Sequence, residues 1–174
     1  MTTWKIDTMH SEVNFKVRHM MISNVSGNFA SFDATLSAEG DDMANPSFNF
    51  SAAVDSIQTG VADRDGHLKS ADFFDAAAHP SIDFKSTEVI KNGSDWTING
   101  DMTIKGTTHP VSLNASFAGV AVDPYGQTKT GLTITGKIKR SDFGLTWSAV
   151  TEAGHIVVGD EISLVSEAQF VKQA

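Results

Sequence analysis

Val13-Asn-Phe-Lys-Val-Arg-His19 is a run in which apolar and polar side chains alternate residue by residue. A period of two places Val13, Phe15, Val17 and His19 on one face of a strand and Asn14, Lys16 and Arg18 on the other. One face of such a strand meets a core and the other meets water. The pattern continues downstream. Phe29 is followed by Phe32, Ala34 and Leu36, and the change of phase between the two phenylalanines predicts a bulge that bends the strand. After a turn at Asp41, Asp42, Asn45 and Pro46, a third face carries Phe48, Phe50, Ala52 and Val54. Ile82 and Phe84 open a fourth strand, which ends at Asn92-Gly93, a pair whose tolerance of positive φ suits a tight hairpin. Trp96, Ile98, Met102 and Ile104 mark the fifth, and Val111, Leu113, Ala115 and Phe117 the sixth. The seventh carries Leu132, Ile134 and Ile138, and the eighth Val158, Ile162, Leu164, Ala168 and Phe170.

Between the third and fourth strands the alternation stops. Asp63-Arg-Asp-Gly-His-Leu-Lys-Ser-Ala-Asp-Phe-Phe-Asp-Ala-Ala-Ala-His-Pro80 reads instead as an amphipathic helical insertion near residues 61–75. Leu68 and the Phe73-Phe74 pair can face inward while Asp63, Arg64, Asp65 and Lys69 face water. The segment is a crossover helix covering one end of a β-structure, or a lid that brings Arg64, His67 and Lys69 beside an opening.

With 174 residues, 40% of them hydrophobic and 20% charged, the chain is expected to form one domain over residues 1–174. No apolar run approaches the roughly 18 residues of a membrane helix, so no integral membrane segment is expected. A net charge of -8 with only 13 Lys and Arg repels a phosphate backbone, and no nucleic-acid partner is expected. Cysteine is absent, which removes disulfides, thiolate metal sites and thiol catalysis together. Met-Thr-Thr-Trp4 is not preceded by a basic region and an apolar stretch, so the expected compartment is the cytoplasm, or the periplasm if a leader has been removed.

Eight strands of about ten residues, joined mostly by short turns, are long for a sandwich of this size, and closure would remove their exposed edges. The expected fold is all-β, an eight-stranded antiparallel barrel. Small residues recur at mid-strand on the inward faces: Ala52, Ser86, Gly100, Ala115, Gly136 and Ser166. A filled eight-stranded barrel wants branched side chains there, so these positions predict a hollow interior. The competing reading is that Gly100 and Gly136 relieve crowding or permit bending.

The six histidines carry no metal motif: no His-Glu-x-x-His occurs, and no pair at helical spacing has a third ligand beside it, so no metal is expected. His79 and His109 each precede a proline and are read as turn residues. There is no Gly-x-Ser-x-Gly elbow and no phosphate loop, so no catalytic residue is assigned.

The stretches Asp7-Thr-Met-His10-Ser-Glu-Val-Asn-Phe-Lys-Val-Arg-His19, Ser23-Asn-Val-Ser-Gly-Asn-Phe29, Arg64-Asp-Gly-His-Leu-Lys-Ser-Ala-Asp-Phe-Phe74, Pro80-Ser-Ile-Asp-Phe84 and Ser141-Asp-Phe-Gly144 stand in this order along nearly the whole chain. Together they resemble the YceI-like family. The resemblance implies a lipocalin-like barrel whose interior holds a long apolar molecule: a polyisoprenoid, an isoprenoid quinone or, in some members, a fatty-acid amide.

On this reading the chain sequesters, stores or transports a lipid and is no enzyme. It needs no cofactor beyond the bound lipid, and a homodimer is left open. The cavity wall is assigned to Val13, Phe15, Val17, Phe32, Phe48, Phe50, Ala52 and Val54 in the first half of the chain. In the second half it is assigned to Phe84, Ile98, Met102, Leu113, Ala115, Phe117, Ile134, Ile138 and Leu164. Arg64, His67, Lys69 and Phe74, with the loop over 141–159, are placed at the entrance. The alternatives are a lipid hydrolase or isomerase using Asp65 and His67, and a structural domain without ligand.

Overall fold

The computed structural model describes residues 1–20, 22–147 and 158–174. Its strands are β1 (Thr2–Ile6), β2 (Glu12–His19), β3 (Ser23–Phe29), β4 (Phe32–Glu39), β5 (Ala44–Ala53), β6 (Ile57–Gln58), β7 (Ser81–Asn92), β8 (Asp95–Ile104), β9 (Thr107–Val122), β10 (Thr128–Lys139) and β11 (Val158–Lys172), with the helix α1 (Ala62–Lys69) between β6 and β7. Every pairing is antiparallel. Neighbours run β1-β4-β5-β7-β8-β9-β10-β11, and β1 also pairs with β11, which closes a ring of eight.

Three of the eight positions in this ring are broken strands. β1 and β2 lie end to end along β11: Trp4 is registered with Lys172, and Val13 with Ser166. The 3₁₀ turn Thr8–His10 separates them, capped by Asp7, whose carboxylate accepts from the Met9 amide at 3.1 Å. β3 and β4 part at Ala30-Ser31, where the change of phase predicted a bend. β5 and β6 part at the 3₁₀ turn Val54–Ser56. β1 and β6 went unread in the sequence: the five residues of β1 bury a single side chain, Trp4, and the two of β6 are too few to show alternation.

Hairpins close where the turn chemistry asks for them. Asn92 pairs with Asp95 around Gly93, whose φ is 62°, a left-handed conformation that a Cβ disfavours. His109 is a strand residue of β9 opposite Met102 and not a turn residue; its proline falls where β9 pairs on one side only, so the missing amide breaks no ladder.

Large rings fill one end. Trp96 stacks on Phe117 with centroids 4.8 Å apart and an interplanar angle of 18°, and Phe48 meets both Trp96 and Phe170 edge-on at 6.5 and 6.3 Å. Trp4, Leu36 and Met43 are fully buried in the same core. The indole N–H groups of Trp4 and Trp96 have no hydrogen-bond partner among the described residues, so both rings are held by burial and packing.

Not every small inward residue hollows the interior. A Cβ at Gly100 would lie 2.6 Å from the tip of Phe84 and 2.5 Å from the Lys85 carbonyl oxygen, and one at Gly136 would lie 2.5 Å from a Leu113 methyl. Neighbouring side chains already occupy the space these two glycines leave, which is the crowding reading. Gly27 serves Phe15 in the same way, the two being registered across β2 and β3. Ser86 is small for a different reason, since its hydroxyl accepts from the Phe48 amide at 2.8 Å, beside the bulge in β7.

Candidate functional site

An apolar cavity of about 200 Å³ lies within the ring. Side chains from both halves of the chain line it, as the alternation of the strands requires. They include Val13, Phe15 and Val17 of β2, Phe48, Phe50 and Ala52 of β5, Phe84 of β7, and Ile98 and Met102 of β8. Leu113 of β9, Ile134 and Ile138 of β10 and Leu164 of β11 complete the assigned residues that meet there. Ala52 and Ser166 are the two small positions that do border the cavity.

Four assigned wall residues lie outside the lining. Phe32, the first residue of β4 after the bend, is half-buried against the core. Val54 has left the strand: it begins the 3₁₀ turn and donates its amide to Pro80 at 2.9 Å, so the alternation counted through it ended at Ala53. Ala115 is buried with Trp96 and Ile134 as its register partners, and Phe117 stacks on Trp96 at the filled end.

Over the opposite end, the segment between β6 and β7 supplies Leu68, Phe73 and Phe74, and the stems of the loop after β10 supply Arg140, Leu145 and Val158. The helix is shorter than the predicted insertion. It ends at Lys69, and Phe74 and Ala76 return their amides to Leu68 and Lys69 in tight turns, so Phe73 and Phe74 lie beyond its end. Phe74 meets Phe29 edge-on at 6.4 Å, and Lys105 donates to the Ala71 carbonyl at 2.9 Å, fastening the segment to the β8–β9 hairpin. Residues 148–157, most of the loop expected to flank the entrance and including His155, lie outside the described residues.

The polar residues assigned to the entrance do not reach the cavity. Arg64 turns back on its own segment, donating from Nε to the Thr59 hydroxyl and from Nη2 to the Thr59 carbonyl, each at 2.7 Å. Lys69 is 3.9 Å from the exposed carboxylate of Asp55. His67 is 2.9 Å from Asp72 and meets Phe73 and Trp147 edge-on, while Asp65 accepts from the Thr59 amide and hydroxyl. Asp65 and His67 are thus engaged with different partners and do not form a pair.

Arg140, which the sequence reading did not single out, is 6% exposed and, among the described residues, is the only charged side chain in the cavity lining. Its guanidinium donates to the carbonyls of Gly159 (2.9 Å), Leu145 (2.7 Å), Trp147 (2.6 Å) and Val158 (3.2 Å), binding the two stems of the loop together. Burial holds its pKa below the ordinary value against an opposing pull from Asp160, and the group stays cationic. Burial pushes Asp160 up, but hydrogen bonds from the Ser141 amide and hydroxyl and the charge of Arg140 outweigh this and hold its carboxyl below the usual range. The signal in the sequence was Arg140 directly before Ser141-Asp-Phe-Gly144, but nothing in a local pattern says that an arginine after a strand will be buried. Among the described residues no cluster of three or more potential metal ligands occurs.

A closed antiparallel barrel with an apolar interior, filled at one end and covered at the other, defines a class of proteins built around a small hydrophobic cavity. Within that class the chain belongs to the YceI-like family, whose domain is matched over residues 4–170. It is 33% identical over 171 residues to a UPF0312 protein of Staphylococcus epidermidis, covering 98% of each chain. It is 36% identical over 172 residues to protein YceI of Escherichia coli O157:H7, covering 98% of this chain and 87% of the relative. Among solved structures it is similar to a Campylobacter jejuni YceI protein, with TM-score 0.77, 30% identity and 90% of both chains covered. A polyisoprenoid binding domain from Saccharophagus degradans shares the fold at TM-score 0.71 and 13% identity, covering 98% of each chain.

Proposed function

We propose that the protein binds one long-chain apolar lipid in the barrel and sequesters, stores or transports it without chemistry. The observation that carries this reading is the cavity itself: Val13, Phe15, Phe50, Ile98, Leu113 and Leu164 converge on a space in which Arg140 is the one charge among the described residues. Burying about ten methylenes there is worth on the order of 8 kcal/mol. Polyisoprenoids, isoprenoid quinones and fatty-acid amides all offer such a chain, and a structural relative is a polyisoprenoid binding domain. Family and neighbours point to a binding protein rather than an enzyme. No helix among the described residues is long and apolar enough to cross a membrane.

Native mass spectrometry of freshly purified protein, followed by organic extraction, tests the proposal. A mass increment that extraction releases as a lipid is the expected result. A ligand-free mass in every preparation, with no uptake of offered prenyl or acyl lipids, overturns it.

A further inference from the structure

Among the described residues the lining of the cavity joins a long apolar wall to a single buried cation, Arg140, whose N–H groups outnumber its acceptors. A guanidinium has five N–H donors. Among the described residues four acceptors surround Arg140, all of them neutral backbone carbonyls, which leaves one Nη2 N–H without a partner there. No carboxylate among the described residues touches the group either: Asp160, the acid whose charge it feels, is engaged by the amide and hydroxyl of Ser141 at 2.9 and 2.7 Å. A buried charge stripped of water and left without a counter-ion is costly, and the cost falls when an anion completes the set. The other polar side chains of the lining, Asn14, Asn49 and Ser166, carry no charge. Arg64 and Lys69, the cations nearest in sequence to the covering segment, are outside the lining.

We propose that Arg140 is the head-group contact of this cavity, donating its remaining N–H to an oxygen of an anionic lipid head such as a carboxylate, with the chain lying along the apolar wall. The inference rests on the lipid-binding reading and adds to it the chemistry of the head. It also gives the two stems, residues 140–147 and 158–159, a part in binding, since the cation that meets the head is the one that ties them together.

Competition of palmitate and hexadecan-1-ol, at pH 8, against N-phenyl-1-naphthylamine in the cavity separates the head from the chain. A charge-assisted hydrogen bond predicts that palmitate binds roughly tenfold or more tighter than the alcohol. Arg140→Met is expected to bring the two affinities within about twofold of each other; the ratio is the readout, since losing the tie between the loop stems acts on acid and alcohol alike. Asp160→Asn, which keeps an oxygen for the Ser141 amide and removes the opposing charge, is expected to widen the preference for palmitate. Should Arg140→Met fail to fold, the Asp160→Asn ratio decides. Equal binding of acid and alcohol by the wild-type protein overturns the head-group role, as does a preference that survives in Arg140→Met or fails to widen in Asp160→Asn. Binding of neither lipid, with probe uptake absent as well, overturns the carrier reading and this inference with it.

Discussion

At one end of the barrel Trp96, Phe117, Phe48 and Phe170 meet ring against ring, each standing on a strand of the ring itself. At the other end Leu68, Phe73, Phe74 and Leu145 cover the cavity from segments outside the sheet, and a few side-chain bonds to backbone carbonyls help to hold those segments in place. The first end cannot open without loss of strand pairing. The second can move while the sheet stays whole, and segments of that kind populate the low end of local stability. A carrier needs both, one end to keep the barrel folded and one to let a ligand pass.

The largest expected effect belongs to the filled end. Trp96→Ala should cost about 3 to 5 kcal/mol in urea unfolding, the range for removing a buried ring, whereas Phe74→Ala, half-buried in the cover, should cost clearly less. Trp96→Phe sharpens the contrast: no hydrogen bond is lost with the indole N–H, so a cost of under about 1.5 kcal/mol is expected. Equal losses in Trp96→Ala and Phe74→Ala would erase the distinction between the ends.

Next comes the contrast between two alanines. Ala52→Phe puts a ring into the cavity and should lower lipid affinity by roughly tenfold or more with the barrel intact by circular dichroism, since several methylenes lose their place at about 0.8 kcal/mol each. Ala115→Phe meets Trp96 and Ile134 instead, so it should destabilise by about 1 to 3 kcal/mol and change affinity less. The reverse order of affinities would move the cavity toward Ala115.

Much of the barrel was legible in sequence because a period of two survives tertiary packing: Val13 to His19, Ile98 to Ile104 and Ile134 to Ile138 form strands, and their inward faces are the ones counted. What failed to show were features made by distant partners. Thr2–Ile6 is a strand because Leu36 and Lys172 lie on either side of Trp4, and Val54 leaves its strand because Pro80 takes its amide. At the site, the apolar wall follows from alternation, but Arg140 is buried only because carbonyls from both ends of a loop converge on it. Arg64 and Lys69 drew attention as cations in the segment that departs from the strand pattern, yet their partners Thr59 and Asp55 hold them elsewhere.

A smaller effect is expected from acid. Asp7 sits between His10 at 2.8 Å and Lys129 at 3.0 Å, near the 3₁₀ turn that joins β1 to β2. The hydrogen bond from His10 above all, then those from Lys129 and the Met9 amide, hold its carboxyl below the usual range despite some burial. A depressed folded pKa means stability that is present above the unfolded value of about 4 and is lost as pH falls through the folded one. Urea midpoints of the wild type should therefore fall more steeply than those of Asp7→Asn as pH drops below about 4. Parallel curves would remove Asp7 from the joint.

The smallest effects belong to the cations of the cover. Arg64→Ala, which frees Thr59, should cost about 1 kcal/mol, and Lys69→Ala should stay within about 0.5 kcal/mol. Lipid affinity should follow neither change; a loss in Lys69→Ala equal to that in Arg140→Met would return the head group to the helix.

Gly136 bears on the width of the cavity without lining it. The Leu113 methyl that a Cβ would strike belongs to a flexible side chain facing the cavity, so one added carbon behind the wall would be delivered inside it as a displaced leucine. At Gly100 the same carbon would strike the Lys85 backbone, and the strand itself would have to give. Gauge can therefore change by one atom at Gly136 with the wall's own surface chemistry untouched, a route by which sister barrels could come to tell a slim saturated chain from a methyl-branched one.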